Sequence, residues 1–185
     1  MGELRLDPVL IGPPEVGKST VSALLASTLE VEHHELDRLR QGFYEEIGFD
    51  MALNKKLYSE QGWAVMYAYW QVFAPHSVER FTQSCRGVLD TGGGSPVSTH
   101  PVLFSRIQRA LAPFANVVLL MPDPDVERSM EILGTRTDPS EMLAINQRFM
   151  IETRCFEALA TQVVYTGERS AEDVHDEVLA GLRGA

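Results

Sequence analysis

The sequence has few cysteines and no long apolar stretch. Its two cysteines, Cys85 and Cys155, lie far apart and in no spacing that is typical of a metal site. We therefore expect buried thiols in the reducing cytoplasm rather than a disulfide framework. No apolar run approaches the roughly 18 residues that a membrane-spanning helix needs, and the N-terminus lacks the pattern of a signal peptide. These absences predict a soluble, cytoplasmic protein.

Basic residues are also in short supply. The chain has 16 lysines and arginines against 26 aspartates and glutamates, so its formal net charge is −10. This acidic balance argues against a nucleic acid or an anionic membrane as the main partner, and any phosphate site must be basic locally. No internal repeat or low-complexity segment is found, and 185 residues with 44% hydrophobic content suit one domain with a sizeable core.

The sequence does contain a phosphate-binding motif. Residues 12–20 match the P-loop pattern G-x-x-x-x-G-K-S, with an apolar run at 8–11 before them and apolar residues near helical spacing after them. Since strand, loop and helix all agree with the motif, we expect it to bind the phosphates of a nucleotide. The residues predicted to do so are Gly12, Pro13, Pro14, Glu15, Val16, Gly17, Lys18, Ser19 and Thr20.

The spacing of this motif has a physical reason. Gly12 and Gly17 let the backbone bend so that successive N–H groups point at an anion, and the N-terminus of the next helix adds its dipole. Lys18 can reach the β- and γ-phosphates, and the hydroxyl of Ser19 can bind Mg²⁺. We therefore expect ATP and Mg²⁺ as cofactors, although the motif does not separate ATP from GTP.

Two acidic residues come at the end of a candidate second strand, residues 31–36. Glu35 and Asp37 lie two positions apart, so they share one face if the strand persists. Two carboxylates at the carboxyl end of a strand suit Mg²⁺ and a substrate hydroxyl. The alternative is a pair of solvated acids at a strand end.

A third acid begins a glycine-rich turn. Residues 88–89 read as a short buried strand, and Asp90 follows where an acid of the Walker B type would lie. Three glycines come after it: Gly92, Gly93 and Gly94. Because consecutive glycines permit close approach of the backbone to a ligand, we expect this turn to bind the substrate. Either Asp37 or Asp90 could act as the base.

Helices are predicted between and after these motifs. Residues 51–84 contain no strong helix breaker before Pro75 and are rich in aromatics, so this helical stretch could wall an acceptor pocket. The polar segment 134–139 lies between two predicted helices, where a mobile lid belongs. Arg136 at its centre is either a clamp for the transferring phosphoryl group or a solvated loop residue.

Strands and helices alternate along the chain, and residues 117–121 and 162–165 read as the remaining strands. This alternation predicts an α/β fold of the P-loop NTPase class, with a central parallel sheet of about five strands, helices on both faces and ligands at the carboxyl ends of the strands. The expected organisation is a single domain over residues 1–185, with a helical acceptor-binding insert at 38–85 and a lid at 134–146.

The P-loop, the spacing from Ser19 to Glu35 and Asp37, and the glycine run together resemble the motifs of the shikimate kinases, a branch of the P-loop small-molecule kinases. The resemblance spans nearly the whole chain. It implies that Glu35 supports Mg²⁺ and that Asp37 meets the hydroxyl of the acceptor. It also implies that Arg128 lies beside the adenine and that Arg136 belongs to the lid.

The sequence departs from this family at positions that would choose the acceptor. The first acid is Glu35 where the family has aspartate, and Tyr67 stands where the family has an arginine that binds the substrate carboxylate. The second such arginine is matched loosely, by Arg148 or Arg154. A site with fewer arginines and more aromatics should disfavour a carboxylate, so the resemblance implies kinase chemistry with a different acceptor.

The sequence therefore predicts an ATP-dependent kinase that phosphorylates a hydroxyl of a small metabolite, such as a less acidic polyol, a sugar or a nucleoside-like compound. The predicted catalytic residues are Lys18, Asp37, Asp90 and Arg136. The residues predicted to bind the acceptor are Asp37, Tyr67, Gly92, Gly93, Gly94 and Arg148. We expect a monomer or homodimer. The alternative is a nucleotide-binding regulatory or partner protein with weak or no kinase activity, because the changed acidic pair and the missing arginine fit a lineage that lost its acceptor.

Overall fold

Five strands form one parallel sheet in the part of the chain that the computed structural model describes, residues 4–136 and 140–184. In chain order the strands are β1 (Arg5–Ile11), β2 (His33–Glu35), β3 (Val88–Asp90), β4 (Phe114–Met121) and β5 (Gln162–Tyr165). Their order across the sheet is β2-β3-β1-β4-β5, and each neighbouring pair is parallel. This arrangement confirms the predicted α/β fold.

Helices connect the strands, because a parallel pair needs a crossover that returns the chain to the same end of the sheet. They are α1 (Lys18–Leu29), α2 (Leu36–Glu45), α3 (Met51–Gln61), α4 (Trp63–Trp70), α5 (Ala74–Ser84), α6 (Pro101–Leu111), α7 (Val126–Arg136), α8 (Glu141–Glu152) and α9 (Ala171–Gly181). α1 contacts β3 and α9, and α5 contacts α2 and α6. Among the residues described, no helix is both long and apolar enough to cross a membrane.

The centre of the sheet holds the main core. Val9, Leu10 and Ile11 at the end of β1 have no solvent exposure, and every residue of β4 is buried. Strands covered by helices on both faces bury side chains in both directions, which explains why these two strands read as apolar runs. Each fully buried aliphatic side chain contributes about 1.5–3 kcal/mol relative to an exposed one. This core fixes the strand ends from which the site is built.

The carboxyl ends of three neighbouring strands come together at one edge of the sheet. β3 pairs with β1 so that Asp90 lies opposite Leu10, and with β2 so that Glu35 lies opposite Asp90. The P-loop follows β1, and α1 begins at Lys18. The phosphate loop and two of the predicted acids therefore share the edge at which open α/β sheets bind their ligands.

Helices α2–α5 fill the connection between β2 and β3. They share a second, smaller core of aromatic rings around Tyr44, Phe49 and Phe73. Phe49 and Phe73 meet edge to face, with ring centroids 5.0 Å apart. α3 buries none of its residues. The predicted insert at 38–85 is thus largely helical, and its role in binding an acceptor stays a prediction.

The second strand is shorter than the sequence predicts. β2 ends at Glu35, and α2 begins at Leu36, so Asp37 lies in the first turn of a helix. An acid in the first turn is favoured by the helix dipole, which helps to start α2 at this point. Glu35 and Asp37 therefore do not share a strand face. Residues two apart share a face only within a strand, and the chain turns into a helix between these two.

The predicted lid begins and ends in helices. α7 continues to Arg136, because a single glycine at 134 costs a helix only about 1 kcal/mol and does not end it. α8 begins at Glu141, after its cap Ser140. Residues 137–139 of the predicted lid lie outside the described residues, and the lid over 134–146 stays a prediction.

Candidate active site

The P-loop has the backbone geometry that its glycines predict. Gly12 has φ 142°, and a Cβ there would collide with the carbonyl oxygen of Leu120, so a side chain cannot be accommodated. Gly17 has φ 102° and precedes the first residue of α1. Glu15 has φ 65°, a left-handed conformation that is uncommon for a residue with a side chain. The loop thus turns tightly onto the N-terminus of α1, where free backbone N–H groups favour an anion.

Lys18 is buried within this loop. Its ammonium group donates to the carbonyl oxygens of Gly12 at 2.9 Å and of Pro13 at 2.8 Å. Burial lowers the pKa of Lys18, against the opposing effect of the nearby carboxylates of Asp90 and Asp37. An ammonium group that is held by carbonyl oxygens alone can exchange them for the oxygens of an anion, which bind it more strongly.

Asp90 has both carboxylate oxygens in hydrogen bonds. Oδ2 accepts from the hydroxyl of Ser19 at 2.7 Å, and Oδ1 accepts from the backbone N–H of Gly92 at 2.9 Å. The residue is buried. Ser19 and Asp90 therefore form a hydroxyl–carboxylate pair beside the phosphate loop, and these are oxygen ligands of the kind that Mg²⁺ prefers.

The two acids after β2 have different partners. Glu35 pairs with Arg38 at 2.7 Å, whereas Oδ1 of Asp37 pairs with Arg40 at 2.9 Å. A Cβ at Gly92 would lie 2.6 Å from Cγ of Asp37, so this carboxylate lies directly against the glycine run. Asp37 lines the cavity that the P-loop borders, and Glu35 does not. The structure therefore brings Asp37 to the phosphate loop and leaves Glu35 beside it.

One cavity of about 690 Å³ joins the phosphate loop to a largely apolar surface. We call this surface the acceptor wall, and it consists of Met66, Tyr67 and Trp70 from α4 and Met142, Leu143, Asn146 and Met150 from α8. The glycine run connects the two ends of the cavity. A Cβ at Gly93 would collide with Pro14, and a Cβ at Gly94 would lie 3.0 Å from the ring of Trp70. The glycines are therefore needed for close packing on both sides.

Several cavity residues were missed from the sequence. They are Arg40, Asn54, Met142, Leu143, Asn146 and Met150. Arg40 could have been found, because it lies one helical turn after Asp37 once α2 is known to begin at Leu36. The α8 residues carry no local signal, because the face of a helix that meets a cavity depends on how the helix packs.

Tyr67 is a packing residue of the acceptor wall. Its ring stacks on Trp63 with centroids 5.0 Å apart and meets Phe149 edge to face at 4.9 Å. Burial raises the pKa of the Tyr67 hydroxyl, so it stays neutral. The indole N–H of Trp63 donates to Oδ1 of Asn146, which ties α4 to α8. The position at which the family has an arginine therefore holds a fixed, uncharged ring.

Arg136 bonds to the protein backbone. Nη1 donates to the carbonyl oxygen of Val16 at 2.8 Å and more weakly to that of Glu15 at 3.3 Å. Nη2 donates to the carbonyl oxygen of Gly167 at 2.6 Å and to the hydroxyl of Thr166 at 3.1 Å. The side chain thus links the outer side of the P-loop to the loop after β5. Arg136 is the last residue of α7 and so does not lie in a loop, and its role as a phosphoryl clamp stays a prediction.

The other predicted arginines lie on the surface. Arg148 forms two hydrogen bonds of 2.7 Å to Glu127 and does not line the cavity, so its predicted contact with the acceptor disagrees with the structure. The reason is that Arg148 and the lining residue Asn146 lie two positions apart in α8 and so on different faces of it. Arg128 pairs with Glu131 at 3.0 Å and with Glu168 at 3.2 Å. It also lies outside the cavity lining, and its place beside an adenine stays a prediction.

The chain is similar in sequence to curated shikimate kinases. It is 28% identical over 183 residues to the shikimate kinase of Salinispora arenicola. This match covers 94% of this chain and 96% of the relative. It is 27% identical over 177 residues to the shikimate kinase of Shewanella pealeana, covering 94% of each chain. No model of a protein family matches the sequence.

Solved structures of shikimate kinases share the fold. The shikimate kinase of Acinetobacter baumannii in complex with shikimate superposes with a TM-score of 0.63 at 19% identity, covering 94% of this chain and 90% of that one. The shikimate kinase of Aquifex aeolicus gives a TM-score of 0.63 at 22% identity and covers 96% of both. In sequence and in fold, the chain is therefore similar to the shikimate kinases, the branch of P-loop kinases that its motifs resemble.

Proposed function

We propose that this protein is an ATP-dependent kinase that phosphorylates a hydroxyl group of a small metabolite. The observation that carries the proposal is that the phosphate loop, the Ser19–Asp90 pair and Asp37 border one cavity that continues along the acceptor wall. Phosphoryl transfer needs the phosphates, a cation and the acceptor held in line, with little covalent chemistry from the protein. Relatives named shikimate kinases support the same class of reaction.

ATP and Mg²⁺ fit the phosphate end of this cavity. The loop offers N–H groups at the N-terminus of α1, and Lys18 would exchange its two carbonyl contacts for oxygens of the β- and γ-phosphates. Ser19 would bind Mg²⁺, and Asp90 would orient that hydroxyl. The bound ion supplies positive charge to the phosphates during transfer. Glu35 pairs with Arg38 and lies outside the cavity lining, so we do not include it among the proposed ligands of Mg²⁺.

Asp37 is the proposed base. It lies against the glycine run, and Arg40 holds its Oδ1 at 2.9 Å. Oδ2 is then available to orient the acceptor hydroxyl and to accept its proton. Asp90 is the weaker candidate, because Ser19 and Gly92 already donate to its two oxygens.

The acceptor-binding part of the proposed kinase is the helical insert at 38–85. The cavity residues that come from this segment are Arg40, Asn54, Met66, Tyr67 and Trp70. α8 supplies the facing side of the acceptor wall, and its first half belongs to the predicted lid. We propose that a bound acceptor lies between α4, α8 and the glycine run.

A nucleotide-binding regulatory protein without an acceptor is the other candidate. Such a protein would need only the phosphate end of the cavity. The acceptor wall would then have no occupant, so the geometry supports the kinase better.

Acceptor-stimulated release of ADP tests the proposal. With MgATP and a panel of polyols, sugars and nucleosides, the protein should release ADP faster with at least one acceptor than without any. Lys18→Ala should lower this rate about 10³-fold, because no other group replaces its contacts with the phosphates. Arg148→Ala is the matched control, since it also removes a cation but lies outside the cavity lining. Unchanged turnover in Lys18→Ala, or no stimulation by any acceptor, would count against the proposal.

A further inference from the structure

We infer that the acceptor is an uncharged alcohol with a broad apolar face, an inference that rests on the proposed kinase function. The relatives are named for shikimate, which carries a carboxylate. Among the described residues that line the cavity, both cations are already engaged, whereas an apolar molecule is offered an extended surface. The two observations are independent, and each points to an acceptor without a net charge.

The cations of the cavity are already engaged by the phosphate loop or by a neighbouring carboxylate. Among the described residues that line it, the cations are Lys18 and Arg40, and the acids are Glu15, Asp37 and Asp90. Lys18 is held by the P-loop and would serve the phosphates, and Arg40 pairs with Asp37 at 2.9 Å. A carboxylate on the acceptor would therefore add a negative group to these three acids, and the described lining residues hold no further cation to balance it.

The arginines that could have supplied a cation are engaged elsewhere. Arg136 donates to backbone carbonyl oxygens of the P-loop, Arg148 pairs with Glu127, and Arg154 pairs with Glu157 at 2.8 Å. None of the three lines the cavity in the part of the chain that the structure describes. Since removing an unpaired charge from water is unfavourable, a carboxylate on the acceptor would weaken its binding in this cavity.

The acceptor wall instead favours apolar surface. It contains two aromatic rings, of Tyr67 and Trp70, whose centroids lie 5.8 Å apart, together with methionine and leucine side chains. Tyr67 is held by Trp63 and Phe149, so the aromatic side of the wall is fixed in place. Methionine side chains adapt to irregular apolar shapes, so those of α4 and α8 can close around a ligand.

A few polar groups remain to orient a neutral acceptor. Oδ1 of Asn146 accepts from the indole of Trp63, which leaves its NH₂ group as a donor within the described structure. Asn54 adds a second amide to the lining. A few placed polar groups in an apolar pocket are the usual means of orienting an uncharged ligand.

Binding of matched acids and esters tests this inference without turnover. Both tryptophans of the chain, Trp63 and Trp70, lie in α4, and Trp70 lines the cavity, so their fluorescence reports an occupied wall. The probes are shikimate and (hydroxymethyl)cyclohexanecarboxylate, each compared with its own methyl ester. Each ester should bind at least about 10-fold more tightly than its acid, because only the acid leaves a charge unpaired. The ester with the cyclohexane ring, which has the larger apolar face, should bind most tightly.

A charge introduced into the wall sharpens the test. Leu143 is partly exposed and lines the cavity, so a longer side chain can be placed there. Leu143→Arg should tighten binding of both acids about 10-fold and leave the esters unchanged or weaker, because it supplies the missing cation. Leu143→Gln, which adds length without charge, is the matched control and should not favour the acids.

The outcomes separate this inference from the kinase proposal. Acids that bind the native protein as tightly as their esters, or esters that leave the fluorescence unchanged, would overturn the inference. Failure to release ADP with any acceptor would instead defeat the kinase proposal, and the preference for esters could still be measured.

Discussion

The phosphate end of the cavity and its acceptor wall are held together in different ways. At the phosphate end, β1 and β3 are neighbours in the sheet, and hydrogen bonds link Ser19, Asp90 and Gly92. The acceptor wall is formed by α4 and α8, which are distant in the chain and contribute mostly methionine and aromatic side chains. Directional bonds thus specify one end of the cavity, and side-chain packing, with the single hydrogen bond from Trp63 to Asn146 described above, specifies most of the other.

This difference predicts which substitutions each end tolerates. Loss of a partner in a buried hydrogen-bond network leaves an unsatisfied group, so changes at the phosphate end should lower the rate for every acceptor. Apolar surfaces accept exchanges that conserve volume, so changes in the wall should alter which acceptor is used. The following substitutions test this division.

The largest effect is expected at the junction of the two ends. Asp37→Asn should lower kcat about 10²–10⁴-fold, because the amide cannot accept the proton of the acceptor hydroxyl. The KM for ATP should change little, since Asp37 lies beyond the P-loop. Steady-state kinetics at saturating Mg²⁺ measure both values.

Asp90→Asn is the comparison for that experiment. It should raise the Mg²⁺ concentration needed for half-maximal rate, because Asp90 orients the hydroxyl of Ser19. A larger loss of kcat in Asp90→Asn than in Asp37→Asn, with Mg²⁺ saturating, would make Asp90 the base and refute the assignment of Asp37.

The next effect tests how closely the glycine run approaches Asp37. Gly92→Ala should lower kcat about 10²-fold, because the new methyl group must displace the Asp37 carboxylate and a displacement of about 1 Å can have that effect. Gly42→Ala, in the same helix as Asp37, has open space around the added Cβ and should leave kcat unchanged. Equal rates for the two variants would show that Asp37 does not depend on this contact.

The sequence predicts the phosphate end well because its geometry is local. The P-loop needs glycines at 12 and 17 and a strand and a helix on either side, and all of these lie within residues 5–29. The alternation of strands and helices likewise predicts the parallel sheet, since each crossover has few possible arrangements. Asp90 could be placed at a strand end for the same reason.

The acceptor wall could not be predicted in the same detail. Leu143 and Asn146 line the cavity only because α8 packs across from α4, and Arg148 is turned away by the same helical geometry. Arg40 was missed because the sequence did not show that α2 begins at Leu36, one residue before Asp37. The bonds of Arg136 join segments far apart in the chain, and a polar loop motif carries no information about them.

A smaller effect is expected for the link between the P-loop and the loop after β5. Arg136→Gln removes charged hydrogen bonds to the carbonyl oxygens of Val16 and Gly167 and should raise the KM for ATP about 10-fold. kcat should change little, because the side chain supports the loop from its outer side. Arg109→Gln in α6 is the control, since that side chain bonds within its own helix. A large loss of kcat at saturating ATP would instead support the role of phosphoryl clamp that the sequence predicts for Arg136.

The smallest effect is expected at the surface of α8. Arg148→Ala removes the pair with Glu127 and should change the KM for any acceptor by less than about twofold, because exposed ion pairs contribute little. Leu143→Arg in the same helix should change acceptor preference, so the two variants compare opposite faces of α8. A marked rise in acceptor KM for Arg148→Ala would mean that this face reaches the acceptor. The wall would then contain a cation, and packing alone could not define it.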